Sequence, residues 1–368
     1  MRIVSVVGTR PHLTKLASVA EAFVALGVEH RIVHSGQHYD PELTGDLVRE
    51  LQLPTFDAQL HAGRRAPTEQ LAYLLHALPE VLEARAAELV LVYGDTTTTA
   101  AGALAARMAG FPVGHVEAGL REFTYRNLEE LNKRVTDGVS SVFFCPSERA
   151  AERLATEGIR EGVHVTGDCA LDLLLRPPAE GVRRRAAELT RGAHRYGFAT
   201  CHRAANTESR ERLASFCDAL ARLEMPVVFA VHPRTRAALT RYGLALPGNV
   251  TDAPPLPFGV TAELLRGAAV VVTDSGGVTK EAYTLGRPVV LFDDQIEWTE
   301  AVEEGWVGVC GADADRALAW WAAFRRPAHH SRPYGDGLAG RRVAEISVRF
   351  CREARGSDLG TRAPYRRR

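Results

Sequence analysis

Short apolar runs recur along this chain, and most of them close on a cluster of polar or small residues. Arg2 to Val7 runs into Gly8-Thr9-Arg10-Pro11-His12-Leu13-Thr14-Lys15, and Arg31 to His34 runs into Ser35-Gly36-Gln37-His38. Leu89 to Tyr93 runs into Gly94-Asp95, and Pro112 to Val116 into Glu117. Brief β-branched and apolar runs without polar alternation read as strands of a parallel sheet buried on both faces. The stretches between them carry helical spacing, as in Leu16, Val19, Ala20 and Phe23, or in the alanine-rich run Ala100 to Ala109. Ser141 to Phe144, Glu148 to Glu157 and His164 to Val165 continue the series as strand, helix and strand.

A second series follows. Tyr196 to Thr200 ends in Cys201-His202-Arg203, Val227 to Val231 ends in His232-Pro233-Arg234, Ala268 to Thr273 ends in Asp274-Ser275-Gly276-Gly277, and Pro288 to Phe292 ends in Asp293-Asp294. Alternating strands and helices with right-handed crossovers predict an α/β protein of two Rossmann-like, doubly wound domains facing a cleft. The expected boundaries are 1–172 for the first domain, 173–191 for a charged linker opened by Arg176-Pro177-Pro178, and 192–336 for the second domain. A C-terminal helix over 337–356 and a disordered tail over 357–368, ending Arg366-Arg367-Arg368, complete the prediction.

Composition narrows the choice of partners. Lys plus Arg equals Asp plus Glu at 45 each, and the isoelectric point is near 7.2. Such a balance offers no field for wrapping nucleic acid or lying on an anionic membrane. Met1-Arg2 and the run ending at Gly8 read as a first strand and not as a signal segment. Cys145, Cys169, Cys201, Cys217, Cys310 and Cys351 are singletons without CxxC spacing, so a reduced, cytoplasmic protein without structural zinc is expected.

The polar residues at strand ends carry the chemistry. In an open α/β sheet, ligands bind at the carboxyl ends of the strands, so Asp95 and Glu117 are expected to face a ligand. Glu129 opens the helix that starts at Leu128. Each acid also has a plain structural reading: Asp95 as a helix cap, Glu117 as a strand end, Glu129 as a favourable charge in a first helical turn. In the second half, Ser275-Gly276-Gly277 at the start of a helix suits a phosphate, because two residues without side chains open the backbone amides. Glu281, one turn on, suits a ribose. The chain has neither GxGxxG after its first strand nor GxxxxGK[ST], which argues against a dinucleotide oxidoreductase and a P-loop NTPase.

Taken together, the motifs GTRPHLTK (8–15), SGQH (35–38), GDTTTT (94–99), HVEAGLR (115–121), LEELNKR (128–134), HR..N (202–206), HPRT (232–235), TDSGG...E (273–281) and EAVEEG (300–305) resemble, in order, those of UDP-N-acetylglucosamine 2-epimerases. The resemblance implies an architecture similar to two-domain nucleotide-sugar glycosyltransferases of the GT-B type, and usually a homodimer. It implies interconversion of UDP-GlcNAc and UDP-ManNAc by elimination of UDP and its re-addition, through a 2-acetamidoglucal intermediate, with neither nicotinamide nor metal. Asp95, Glu117, Glu129, His202 and Lys15 are then the expected catalytic groups. Arg10, Gln37, His232, Ser275, Gly276, Gly277 and Glu281 are the expected substrate contacts.

The chain departs from the family pattern at His12, Leu128, Lys133, Ala205 and Asp293, the last standing where an arginine is expected. An aspartate there is expected to repel a phosphate. These changes keep alternatives open: a hydrolysing epimerase that releases UDP and free N-acetylmannosamine, a hydrolase of a related nucleoside-linked sugar, a glycosyltransferase, or a nucleotide-sugar sensor without turnover.

Overall fold

The computed structural model describes residues 1–37, 41–121 and 127–356. The expected disordered tail, along with His38 and Glu122 to Arg126, lies outside the described residues. The chain forms two compact units, Met1–Leu173 with the segment from Pro333 onward, and Leu174–Arg332.

Among the described residues the first unit holds a parallel sheet of β1 (Arg2–Val7), β2 (Glu29–His34), β3 (Ala58–Gln59), β4 (Leu89–Tyr93), β5 (Val113–Val116), β6 (Val142–Cys145) and β7 (Val163–Val165), in the order β3-β2-β1-β4-β5-β6-β7. Every residue of β4 is fully buried, which is why its sequence is continuously apolar. Burying one such aliphatic side chain contributes about 1.5–3 kcal/mol. Beneath that strand the helices Pro67–Ala84 and Thr97–Met108 pack on one another and supply Leu74, Leu78, Leu82, Ala101 and Ala105 to the core.

The second unit has β8 (Gly197–Cys201), β9 (Val227–Val231), β10 (Val250–Ala253), β11 (Val270–Thr273), β12 (Val289–Leu291) and β13 (Val307–Val309), all parallel, in the order β10-β9-β8-β11-β12-β13. Both units are therefore doubly wound Rossmann-like sheets.

The structure divides the chain differently from the expected linker and C-terminal helix. Within the span expected as a linker, the helix Glu180–Leu189 packs on the helix Phe258–Gly267 and falls in the second unit, which starts at Leu174. The last helix, Ala339–Gly356, packs along Arg10–Ala25 as part of the first unit. Asp172 anchors its start, accepting the amides of Ala339 at 3.0 Å and Gly340 at 2.7 Å. Val343, Ala344 and Val348 are among the buried residues of this helix, and the surface it meets is set by contacts remote in sequence. No helix among the described residues is long and apolar enough to cross a membrane, and all six cysteines are free and buried.

Candidate active site: two switch points

Strand order reverses between β1 and β4 in the first sheet and between β8 and β11 in the second. Two loops leave in opposite directions at such a point and open a crevice at the carboxyl edge. Arg10, Lys15 and Asp95 follow the strands of the first of these places, and His202, Ser275, Gly276 and Gly277 those of the second.

In the first unit, β1 leads into the helix Arg10–Ala25, which brings Lys15 to Glu117 just past the end of β5. Lys15 Nζ lies 2.6 Å from Glu117 Oε2, and both side chains are only 11% exposed. Gly94, at the end of β4, has φ of +63°, and a methyl group added there would lie 3.3 Å from Lys15 Nζ, 3.4 Å from Glu117 Oε2 and 3.8 Å from His12 Nε2. Glycine thus serves twice: it takes the left-handed turn, and it leaves the space between these groups open. His12 Nδ1 accepts the Gly8 amide at 3.2 Å, so its proton is on Nε2, 3.3 Å from Thr96 Oγ1.

The N-cap of the helix Thr97–Met108 is Thr96, not Asp95. That removes the capping reading of Asp95, whose carboxylate instead stands 3.5 Å from Lys133 Nζ while its backbone carbonyl accepts Asn132 Nδ2 at 2.9 Å. Lys133 and Asn132 share the helix Leu128–Val139 with Glu129, which is exposed. The Asp95 pKa is raised, chiefly by the protein packed around the carboxyl although 34% of its side chain meets solvent, and further by the charges of Glu117 and Glu129; Lys133 and Lys15 oppose the shift.

Glu117 itself has φ of +75°. For a residue with a Cβ this backbone costs on the order of 1–3 kcal/mol and persists only when its surroundings enforce it. The amides of Glu117 and Ala118 both donate to Phe144 O, at 3.0 and 3.1 Å. Arg10 sits half-exposed at the start of its helix. Gln37 turns inward: its Oε1 accepts the Thr98 amide at 2.9 Å and the Thr98 hydroxyl at 2.6 Å, so its amide nitrogen is what it has to offer a ligand.

In the second unit, fully buried Asp274 follows β11 and organises the loop after β8. It accepts the amides of His202 at 3.0 Å and Arg203 at 2.9 Å, and Asn206 Nδ2 at 3.0 Å. This places the His202 ring 5.7 Å from the His232 ring, centroid to centroid. His232 Nδ1 caps the helix Pro233–Tyr242 by accepting the Arg234 amide, and Arg234 Nη1 donates to His202 O at 3.1 Å. Ser275 Oγ is the N-cap acceptor of the helix Gly276–Thr284, and Glu281 lies half-buried farther along it.

Asp293 does not stand as a bare negative charge at this edge. Arg203 is ion-paired with it, and its Oδ1 accepts the amides of Asp294 at 2.7 Å and Gln295 at 3.3 Å. The Arg203 guanidinium meanwhile lies near Gly276, 3.9 Å from where a Cβ would be. The charge introduced by Asp293 is thus answered locally, which the residue's position in the sequence did not reveal.

His115, Asn132, Asp137 and Arg203 are not among the site residues expected from the sequence. The available signal was polarity inside an apolar pattern: His115 lies in the middle of β5, fully buried.

The chain matches the family model for UDP-N-acetylglucosamine 2-epimerase over residues 24–347. A Methanococcus maripaludis protein named UDP-N-acetylglucosamine 2-epimerase homolog is 36% identical over 94% of this chain and 99% of its own length. The UDP-2,3-diacetamido-2,3-dideoxy-D-glucuronate 2-epimerase of Pseudomonas aeruginosa is also 36% identical, over 95% of this chain and all of its own. Among solved structures, Methanocaldococcus jannaschii UDP-GlcNAc 2-epimerase in complex with UDP-GlcNAc and UDP superposes with a TM-score of 0.84 at 30% identity, over 95% of this chain and 100% of that one. Matches of this extent establish that the chain belongs to the UDP-N-acetylglucosamine 2-epimerase family.

Proposed function

We propose that this protein is a non-hydrolysing 2-epimerase that interconverts UDP-N-acetylglucosamine and UDP-N-acetylmannosamine. The C2 proton leaves to a protein base as the C1–O bond to UDP breaks, giving 2-acetamidoglucal. A proton then returns to the opposite face of C2 while a diphosphate oxygen of UDP re-forms the bond at C1. The observation that carries this reading is the Lys15–Glu117 pair beside Asp95 at the first switch point.

Two carboxyls in different settings suit a reaction that removes a proton on one face and restores it on the other. Glu117, whose counter-charge is Lys15, is the proposed base in one direction. Asp95, whose raised pKa favours holding a proton, is the proposed acid. Glu129 supplies a third carboxylate near Asp95. UDP departure builds charge on the diphosphate, which preorganised donors stabilise. His202, Arg10, Ser275 and the Gly276 and Gly277 amides take that role in our reading, with His232 on the pyrophosphate and Glu281 on the ribose. The proposed assembly is a homodimer, to be checked by sedimentation equilibrium, and the proposed compartment is the cytoplasm.

A second sugar is favoured by the Pseudomonas aeruginosa relative, which is as similar as any other reported above and acts on a 2,3-diacetamido uronate. The C2 chemistry is the same for both. Nuclear magnetic resonance time courses in heavy water, run with each UDP-sugar, separate the readings. Deuterium at C2 together with the epimeric nucleotide sugar supports the proposal for that sugar. Free sugar and UDP point to the hydrolysing branch, and the absence of exchange with both sugars rejects the proposed reaction.

A further inference from the structure

We infer that His115 and Asp137 are a positioning pair that fixes the Glu117 carboxylate and the Gly94-Asp95 segment relative to one another for proton transfer at C2. The inference rests on the reaction proposed above. The pair is sealed from water, with side-chain exposures of 0% and 1%, and His115 Nδ1 is 2.6 Å from Asp137 Oδ1. The other ring nitrogen, Nε2, is 2.8 Å from Gly94 O. A carbonyl oxygen only accepts, so Nε2 carries a proton and donates it there.

Both ends of this arrangement land beside an acid. Gly94 immediately precedes Asp95. On the other side, Asp137 Oδ2 accepts the Gly119 amide at 3.3 Å, two residues beyond Glu117, while His115 lies two residues before it. Glu117 is thus bracketed by two groups held on one carboxylate, and that is where the backbone adopts its costly left-handed conformation. The helix that carries Asp137 also donates Asn132 Nδ2 to Asp95 O, so one rigid element holds both acid-bearing segments. Stability alone does not call for such a pair, since well-packed apolar residues replace buried ionic groups at little or no cost. Geometry does: an error of about 1 Å in a reacting group lowers a rate by about 100-fold.

Three variants test the inference: His115→Phe, Asp137→Asn, and His115→Gln, whose amide still donates to Gly94 O. The readouts are the kcat of C2 deuterium exchange, the KM for UDP-sugar, and UDP affinity by calorimetry. We expect His115→Phe and Asp137→Asn to lose about 100-fold in kcat, with KM and UDP affinity within about twofold of wild type, the pattern of a lost transition-state alignment. His115→Gln is expected to regain at least about tenfold of that loss. Unchanged kcat in the first two variants overturns the inference. So does a parallel fall of kcat, UDP affinity and melting temperature, or a His115→Gln variant no better than His115→Phe.

If His115→Phe does not fold, Asp137→Asn compared with His115→Gln carries the same decision. Wild-type protein in the same assay judges the reaction separately. Should it show no exchange, the proposed function fails, and a crystal structure of Asp137→Asn decides the positioning: displacement of Glu117 from Lys15 supports it, and an unmoved pair refutes it.

Discussion

Removing Arg121 measures what the buried network around Asp137 contributes to stability. Arg121 Nη1 lies 2.7 Å from Asp137 Oδ2, with each side chain 1% exposed, and the guanidinium also grips Glu157 through bonds of 2.8 and 2.6 Å. Deleting one partner of a buried pair costs about 3–5 kcal/mol, because the remaining charge is left uncompensated. His115 still faces Asp137 in the Arg121→Met variant, and Glu157 can turn to water and to Arg134, so the lower end, about 3 kcal/mol, applies. For a unit of this size each kcal/mol moves the melting temperature by about 2–4 °C, giving an expected drop of about 6–12 °C at neutral pH.

The pH dependence adds a second check. Burial acts to raise the Asp137 carboxyl, but His115 and Arg121 outweigh it and its pKa is lowered in the fold. Glu157 is lowered as well, chiefly by its hydrogen bonds from Arg121. Depressed carboxyls stabilise the folded state above their unfolded values of about 4, and that stability disappears as the pH falls through the folded values. The difference between wild type and Arg121→Met should therefore be full near neutrality and shrink below about pH 4. Scanning calorimetry from acid to neutral pH measures it. A drop below about 2 °C at neutral pH, or a gap that widens in acid, refutes the account of Arg121 as the buried counter-charge.

Three further outcomes follow from the site. Asp95→Asn, Glu117→Gln and Glu129→Gln should each lower kcat by about 100-fold or more with little change in UDP affinity; an acid whose loss leaves turnover intact has no part in proton transfer. Lys133→Met removes the largest charge opposing the raised Asp95 pKa, so the limb of the pH–rate profile controlled by Asp95 should move to higher pH, and an unmoved limb detaches Asp95 from that limb. Gly276→Ala meets its nearest neighbours, Trp298 Nε1 and Arg203 Nη2, only at 3.7 and 3.9 Å. The fold should tolerate it or gain up to about 1 kcal/mol, while UDP binding measured by calorimetry weakens, and undiminished affinity removes this turn from the phosphate site.

The elements that were legible from sequence are those whose signal is local. Arg2–Val7, Leu89–Tyr93 and Val227–Val231 have the same bounds in the structure as in their mainly apolar runs, because the part of a strand covered on both faces is nearly all apolar. Ala58–Gln59, Val250–Ala253 and Val307–Val309 are not among the strands expected from the sequence. They are short strands at sheet edges, and Thr251 and Asp252 break the apolar run of the second. Polar residues at strand ends were equally legible, since a parallel sheet delivers all its carboxyl ends to one edge.

Sequence by itself thus determined that the chain is two parallel α/β units and which polar residues stand at the carboxyl edges of their sheets. Which charge answers which was decided by the tertiary structure. Lys15 meets Glu117 only because β1 and β4 are neighbours and β5 lies next to β4. Arg203 neutralises Asp293, His115 ties Gly94 to Asp137, and the last helix returns to the first unit. Each of these depends on strand order and chain crossing, which bring together residues far apart in sequence, whereas hydrophobic periodicity reports only on the near neighbours of each position.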